Sequence, residues 1–305
     1  MAIEMFIKSA FTKAFNKYVY NELIVGKLAH VEFKTGKSKG DEVDVVMPGM
    51  VNVFDYDGGD LPDAEQVTTS VTKVKLDKGA AVHFGLKQIE EDMIKNAPSE
   101  EKQIELVKSY TDDAIKQIAA KVDSAYAKLY TRAGHYVDCT SATFSPKIAK
   151  ELFGYMQAKF QKGDGKGHTN WIDGQMVCIV PPEYQYYLGK LDNFYQGVES
   201  GHKKIEKGFI GKLYGWDILV SNNLARGEDD SVYPLFGVRG KTLAGGIIKD
   251  LHMQDYVPEK NFNRNYKGYS LYGMGAPRAD FLGTAKIKAP LQMDLTYSEG
   301  DYPPF

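Results

Sequence analysis

The sequence predicts an α+β fold, and three observations support this prediction. Residues 99–133 carry one long stripe of apolar side chains at helical spacing. Residues 29–76 hold runs of β-branched and alternating residues that are typical of strands. After residue 134, helical and strand-like segments alternate. At 305 residues, with 43% hydrophobic and 26% charged residues, the chain can bury a sizeable core.

The first element is an amphipathic helix over residues 4–24, because apolar side chains recur at helical spacing from Met5 to Leu23. Residues 29–76 then predict a long, exposed β-hairpin, whose strands are HVEFKT, DEVDVVMP and QVTTSVTKVKL. The stretch FDYDGGDLPDAE between the strands is rich in Gly, Asp and Pro, and it predicts an irregular tip.

The longest element is a helix within residues 99–133. Ser99 with the acidic residues after it is a plausible helix start, and Gly134 ends the pattern. A helix of about 30 residues is about 45 Å long, which favours a strut in an extended molecule over the framework of a compact enzyme. A bundle or coiled coil is the weaker alternative, since no second helix of matching length is evident.

Residues 135–250 predict a compact middle domain, with the helix SPKIAKELFGYMQAKF, the strand QMVCIV, the helix PPEYQYYLGKL and strands around GWDILVSNNL and VYPLFGVRG. Residues 251–305 mix short β-like runs, YSLYGMGAP and TAKIKAP, with Pro and Gly turns, and they close on a tail.

Composition narrows the classes of function. A net charge of −2 argues against a basic nucleic-acid-binding face, so that any DNA contact would be local. The 20 Tyr and 15 Phe favour surfaces buried between partners, although aromatic cores explain them equally well. The sequence predicts no export signal and no membrane span. Cys139 and Cys178 stand far apart, which argues against a disulfide framework or a zinc site.

No segment predicts catalysis. GDGKGHT at residues 163–169 lacks the spacing of a phosphate loop and follows a helix, so a surface loop is the better interpretation. The six histidines are scattered, without the spacing of metal ligands. Serine nucleophile elbows are absent, and the carboxylate pairs at 90–91 and 229–230 predict solvated faces or loops. We therefore expect no catalytic, cofactor or metal site.

Four segments resemble the major capsid proteins of tailed bacteriophages with the Hong Kong 97 fold. VCIVPPEYQYYLGKLDNF, residues 177–194, is similar to the strand, proline turn and helix of their middle domain. GFIGKLYGWDILVSNNLA, residues 208–225, is similar to a glycine-rich segment of that family. FGVRGKTLAGGIIKDL and YVPEKNFNRNYKGYSLYGMGAPRADFL resemble its closing part. The matching positions are Pro181, Pro182, Leu188, Gly208, Gly211, Gly215, Ser221, Asn222, Asn223 and Leu224.

These positions have a structural explanation. Gly211 and Gly215 bracket a tight connection into a strand, where a positive φ or close packing excludes a side chain. Asn222 and Asn223 favour a turn after that strand. The resemblance implies no catalytic role for any of them.

The resemblance implies an extended architecture. Residues 1–28 would form an N-terminal arm, 29–76 an extended loop, 77–134 a peripheral domain with the spine helix 99–133, and 135–250 an axial domain. Residues 251–305 would return to the peripheral domain and end in a tail. The implied function is self-assembly through pentamers and hexamers into an icosahedral shell.

A closed shell requires one chain to fit slightly different local symmetries. Gly58 and Gly59 and the GKSKG turn are candidate hinges for that tolerance. Some relatives join a lysine to an asparagine covalently, but no motif supports a cross-link of Lys75 or Lys78 with Asn261, Asn263 or Asn265 here.

The expected partners are further copies of the chain, a separate scaffolding protein, a portal, and packaged double-stranded DNA held by weak or local contacts, with no membrane involved. We expect a separate scaffold because no charged helical extension precedes residue 1. The expected location is the virion capsid, assembled in the host cytoplasm. Two alternatives remain, which are an encapsulin-like bacterial compartment and an unrecognised enzyme or glycan-binding protein.

Overall fold

A computed structural model describes residues 22–34, 38–47, 70–141, 145–161, 175–191, 195–196, 208–248, 252–258 and 263–288. Several predicted features fall largely or wholly outside these ranges. They are the helix over 4–24, the hairpin tip with Gly58 and Gly59, the GDGKGHT loop, Asn261 and the C-terminal tail.

The described residues form helices and strands in the mixture expected of an α+β fold. The α-helices are α1 (Gln88–Lys95), α2 (Glu100–Ala127), α3 (Pro146–Gln161) and α4 (Gln185–Leu188). The strands are β1 (Ala29–Lys34), β2 (Glu42–Met47), β3 (Ser70–Lys75), β4 (Lys78–Leu86), β5 (His135–Asp138), β6 (Met176–Val180), β7 (Tyr195–Gln196), β8 (Phe209–Leu213), β9 (Trp216–Val220), β10 (Ser231–Val232), β11 (Leu235–Val238), β12 (Leu243–Ile248), β13 (His252–Tyr256), β14 (Arg264–Gly275) and β15 (Gly283–Lys288).

Two large sheets organise these strands. The five-stranded sheet has the order β1-β12-β14-β13, with β4 also paired to β14. The eight-stranded sheet has the order β10-β15-β11-β6-β9-β8-β7, with β5 also paired to β15. The core of the eight-stranded sheet is aromatic, because the Trp216 ring makes edge contacts with Phe160 of α3 and with Phe236, at centroid distances of 5.1 and 5.3 Å.

The predicted long helix is confirmed as α2. Ser99 caps its N-terminus, since the Ser99 hydroxyl accepts a hydrogen bond from the backbone N–H of Lys102 at 3.3 Å. The stripe that includes Ile115, Ile118 and Val122 is buried against the rest of the fold. The α-helix ends at Ala127, and the chain continues as a 3-10 helix over Lys128–Arg132. The last residues of the predicted helix are therefore wound more tightly than an α-helix.

The predicted hairpin over 29–76 is wrong in its first strand. β1 does not pair with β2 or β3 but runs parallel to β12, with Ala29 opposite Leu243. Only β2 and β3 form the hairpin, with Glu42 opposite Lys75. β1 alternates apolar and polar residues, and such a pattern does not distinguish a strand that pairs locally from one that joins a distant partner.

The predicted boundary at residue 250 also needs correction, because strands cross it in both directions. β12 precedes the boundary but pairs with β1 and β14 in the five-stranded sheet. β15 follows it but pairs with β5, β10 and β11 in the eight-stranded sheet. Strand order in a sheet depends on these long-range pairings, which short sequence windows do not contain.

A search of the described helices finds none with the length and apolar character needed to span a membrane.

Candidate functional site

The proline motif forms a turn at the end of a buried strand. Pro181 follows β6, and Pro182 opens a 3-10 turn that leads into α4. Leu188 closes that helix inside the core. Between them, the buried Tyr184 donates its hydroxyl proton to the carbonyl oxygen of Lys288 at 2.8 Å, and burial raises its pKa. The motif thereby ties β6 to the end of β15.

The glycine motif shapes the hairpin of β8 and β9. Its two-residue turn consists of Tyr214 and Gly215, whose φ angles are +49° and +81°, as a type I′ turn requires. Gly211 lies beside a register shift between the two strands. Gly208 has a φ of +79°, and a β-carbon there would lie 3.0 Å from the carbonyl oxygen of Val220. Each glycine therefore has a different structural setting.

The serine-asparagine motif makes the turn after β9. The backbone N–H of Ser221 donates to the carbonyl oxygen of Val180 at 3.0 Å, which links the ends of β9 and β6. The N–H of Asn223 donates to the Ser221 hydroxyl at 3.2 Å. Asn222 is exposed, whereas Leu224 is buried. This turn places the Asn223 side chain within hydrogen-bonding reach of α2, at Asp123.

Asp123 is the centre of a junction of three segments. Its two carboxylate oxygens accept hydrogen bonds from the backbone N–H groups of Ile24 and Gly26, at 2.8 and 3.0 Å. The Asn223 side chain completes the contacts, so that residues 22–28, α2 and the turn after β9 meet at one buried carboxyl group. Burial raises the pKa of Asp123, and the hydrogen bonds oppose this effect. We name Asp123, residues 24–26 and Asn223 the Asp123 junction.

The junction continues into the five-stranded sheet. The carbonyl oxygen of Lys27 accepts a hydrogen bond from the N–H of Gly240 at 2.9 Å, and that of Leu28 accepts one from Thr242 at 3.2 Å. Residues 22–28 are therefore fixed on both sides just before β1 begins. The resemblance assigned residues 1–28 to an arm, and the described part of that range, residues 22–28, is anchored in the fold.

A second link joins the end of α2 to the eight-stranded sheet. Tyr130, in the 3-10 turn, stacks on Tyr233 with ring centroids 4.1 Å apart. Nearby, Lys286 of β15 pairs with Asp229 at 2.7 Å. Hydrogen bonds from Lys286 and Ser231 lower the pKa of Asp229, and Asp229 raises the pKa of Lys286. Asp229, one member of the 229–230 carboxylate pair, thus forms an ion pair with strand β15.

The residues considered for a covalent cross-link are separated within one subunit. Lys78 lies opposite Tyr272 at one end of the β4–β14 pairing, and Asn265 lies opposite Gly85 near the other end. Seven residues of strand separate these positions, which is about 23 Å. The Asn265 side chain donates instead to the Tyr256 hydroxyl at 3.3 Å.

The described part of the chain holds no group of three or more His, Cys, Asp or Glu side chains placed to bind a metal ion. His30, His83, His135 and His252 fall in separate strands, while His168 and His202 lie outside the described residues. Cys178 is buried, and burial raises the pKa of its thiol well above the ordinary value.

Sequence reasoning missed the Asp123 junction. The signal was available in part, because Asp123 falls four residues after Ala119 and three before Tyr126, both on the buried face of α2. A carboxyl group at such a position requires partners. The partners themselves lie 97 or more residues away in sequence and could not be identified from α2 alone.

The comparisons with known proteins give structural matches only. No family model matches the sequence, and no curated protein matches it. The capsid of Ralstonia phage GP4 aligns with a TM-score of 0.60 at 11% identity, over 86% of this chain and 87% of that one. A chain of Mycobacterium phage Che8 aligns at 0.54 with 18% identity, over 86% and 90%. A chain of the holo-SrpI encapsulin complex from Synechococcus elongatus aligns at 0.52 with 11% identity, over 87% of each.

Proposed function

We propose that this chain, which has the Hong Kong 97-type capsid fold, is the structural subunit of an icosahedral bacteriophage capsid. In this proposal it assembles through pentamers and hexamers into a shell that packages double-stranded DNA. The observation that carries the proposal is the match to the capsid of Ralstonia phage GP4 along 86% of the chain. The capsid structure of cyanophage P-SCSP1u, with a TM-score of 0.55, supports the same function.

The described residues suit a subunit that works by contact. Eight large apolar or aromatic side chains are exposed, and such side chains favour burial against partners. They are Val71, Ile89, Met93, Tyr136, Tyr155, Tyr256, Val257 and Tyr269. The Asp123 junction anchors residues 22–28, which suits the base of an arm that contacts a neighbouring subunit in the proposed shell.

The base of the β2–β3 hairpin is anchored in a similar way. Val43, Val45, Val74 and Leu76 pack with Ala244 and Leu271 into a small core of their own. A packed base of this kind suits the extended loop that the motif resemblance implies. Contacts of this kind, repeated around a closed symmetry, hold a shell together even when each contact is weak.

An encapsulin-like compartment is the second candidate, favoured by the match to the Synechococcus elongatus complex. Both candidates are shells, and they differ in what they enclose. Sequencing the genes beside this one tests the choice. Neighbouring portal and terminase genes support a phage capsid, whereas a neighbouring cargo-enzyme gene supports a compartment. An enzyme of any class is a weaker proposal, since the described residues offer no metal cluster and the structural matches are shell proteins.

Negative-stain electron microscopy and size-exclusion chromatography of the purified full chain test the proposal. We expect shells, or pentamers and hexamers with tubes, at increasing protein concentration. A 34 kDa monomer that persists at every concentration, with or without a co-expressed scaffold, would contradict it. The proposed partners are a separate scaffolding protein and a portal, and the proposed location is the virion, after assembly in the host cytoplasm.

A further inference from the structure

One face of the five-stranded sheet is turned away from the core across three neighbouring strands, β4, β14 and β13. Side chains alternate along each strand, so that Tyr266 is buried on the inner face while its neighbours Asn265 and Lys267 point outward. The pairing registers arrange eight outward positions in rows, which we name the β4–β14–β13 face. The rows are Gly85–Asn265–Tyr256, His83–Lys267–Gln254 and Ala81–Tyr269.

The side chains at one end of this face are held in place by one another. The Tyr256 hydroxyl shares a hydrogen bond with His83 Nε2 at 2.9 Å and accepts one from Asn265 Nδ2 at 3.3 Å. The His83 ring stacks on the Tyr256 ring, and Lys267 Nζ lies 5.7 Å from the centre of the same ring. The Asn265 side chain also covers Gly85, since a β-carbon there would lie 2.6 Å from Asn265 Oδ1.

The opposite end is more open. Tyr269 is 45% exposed, compared with 41% for Tyr256. A depression of about 510 Å³ lies on the face, lined by Tyr256, Tyr269, Lys267 and Gln254, among others. Its lining therefore combines aromatic rings with hydrogen-bonding groups and one ammonium group.

The charge of the face identifies the kind of partner. The chain has 40 Asp and Glu residues in all, yet none of the eight positions of the face is acidic. Asp255 lies on β13 but points to the inner side, where it pairs with Arg264 at 2.8 Å. Lys, Tyr, Asn and Gln side chains, which this face presents, can bind phosphate oxygens and sugars of a nucleic-acid backbone. A second subunit is the alternative occupant, because Tyr is enriched at protein interfaces, but Lys267 at the middle of the face argues against it, because Lys is depleted there.

We propose that the β4–β14–β13 face contacts the phosphodiester backbone of duplex DNA enclosed by the shell, and therefore faces its interior. This inference rests on the proposed function. One lysine per subunit binds DNA weakly, but a shell repeats the contact many times, and multivalent contacts add. Contacts to the backbone alone hold DNA near the wall without selecting a sequence.

The test compares two lysines in the same chemical setting. Lys267 lies over Tyr256, and Lys159 of α3 lies over the exposed Tyr155 at 5.2 Å from the ring centre. The variants Lys267→Glu and Lys159→Glu change the net charge equally. Binding of a short fluorescent DNA duplex to each full-length protein is measured by anisotropy at several salt concentrations, and shell formation is scored separately by electron microscopy.

We expect Lys267→Glu to weaken duplex binding about fivefold, the upper size of one exposed ion pair. The slope of log affinity against log salt should fall by about one. Lys159→Glu should leave both quantities close to wild type. Tyr269→Ala should also weaken binding, unlike Tyr155→Ala, whose side chain is exposed to a similar degree.

Three outcomes would overturn the inference. In the first, the wild-type protein does not bind the duplex at low salt. In the second, the two lysine variants lose duplex affinity equally. In the third, Lys267→Glu no longer forms shells but binds DNA as the wild type does. The last outcome would make the face a contact between subunits. Failure of the wild-type protein to form shells under any condition is a separate result, which counts against the proposed function itself.

Discussion

At the scale of single residues, Asp123 connects more of the molecule than its position in a helix suggests. Its carboxylate accepts backbone hydrogen bonds from Ile24 and Gly26 while fully buried. Asp123→Asn preserves the shape but turns an amide NH₂ toward a backbone N–H. We expect a loss of about 1–3 kcal/mol in the free energy of unfolding, the cost of an unsatisfied buried donor. Urea unfolding followed by circular dichroism measures it.

Asp113 is the matched control for this prediction. It lies on the same helix but is exposed, and it accepts a hydrogen bond from Gln117 at 2.9 Å. Asp113→Asn should change stability by less than about 0.5 kcal/mol. Equal effects of the two substitutions would show that the Asp123 junction contributes nothing beyond helix electrostatics.

The raised pKa of Asp123 adds a pH dependence with a definite sign. A carboxyl group whose pKa is higher in the folded state binds protons more readily there than in the unfolded chain. Its contribution to stability is therefore complete below the unfolded pKa, about 4, and is lost as the pH rises through the folded pKa. The stability advantage of wild type over Asp123→Asn should shrink across that window when the unfolding series is repeated at each pH.

The Asp229–Lys286 pair predicts the opposite direction. Asp229 has a lowered pKa because Lys286 and Ser231 bind its carboxylate. This contribution to stability is present above the unfolded pKa and is lost as the pH falls. In an NMR titration we expect the Asp229 carboxyl to titrate below its ordinary value of 3.8, and Lys286→Gln to shift it upward. An unchanged titration midpoint of Asp229 in the variant would mean that Lys286 does not lower the pKa of Asp229.

Residue identities alone predicted some of these details. A polar residue on the buried face of α2 indicates a need for partners, so Asp123 was open to prediction and its partners were not. Close packing between a strand and a distant helix is a similar case. A β-carbon on Gly245 of β12 would lie 1.6 Å from the Tyr126 hydroxyl of α2, and no local pattern around Gly245 indicates that neighbour.

At the scale of elements, we expect two glycine-to-alanine substitutions, one in the β8–β9 turn and one in helix α3, to change stability in opposite directions. Gly215 has a φ of +81°, a conformation that costs an alanine about 1–2 kcal/mol. Gly154 lies in helix α3, with open space around its α-carbon. Gly215→Ala should therefore lower the free energy of unfolding by about that amount, while Gly154→Ala should raise it by about 0.5–1 kcal/mol. Thermal unfolding of both variants checks the signs, and unchanged or increased stability of Gly215→Ala would contradict the turn assignment.

Elements were predictable where local pattern decides them. The apolar stripe and the Ser99 cap specified α2, and buried β-type runs specified β6 and β9. The pairing of β1 with β12 was not predictable, because its partner lies more than 200 residues away in sequence. β14 was also missed at its full length, since glycines at 268, 273 and 275 interrupt its strand pattern.

At the scale of the whole molecule, the two sheets exchange strands in both directions. β12 and β15 each join the sheet opposite to the one expected from their position along the chain. The chain therefore passes between the sheets several times, and α2 and residues 22–28 reinforce the connection. In the shell proposed above, this arrangement would keep a subunit from separating into independent parts.

Self-assembly predicts that some exposed apolar surface is covered by neighbouring subunits. Ile89 and Met93 lie one helical turn apart on α1 and are 73% and 56% exposed. If this pair is buried in the shell, Ile89→Lys loses about 1.5 kcal/mol per copy, which raises the concentration needed for shells at least about tenfold. Light scattering against concentration measures the threshold.

Gln88→Lys, one position away on the same helix, is the matched control. It adds the same charge without removing apolar surface, and it should leave the threshold unchanged. Neither variant should alter the unfolding of the monomer. Equal thresholds for Ile89→Lys and wild type would place α1 outside the contacts between subunits.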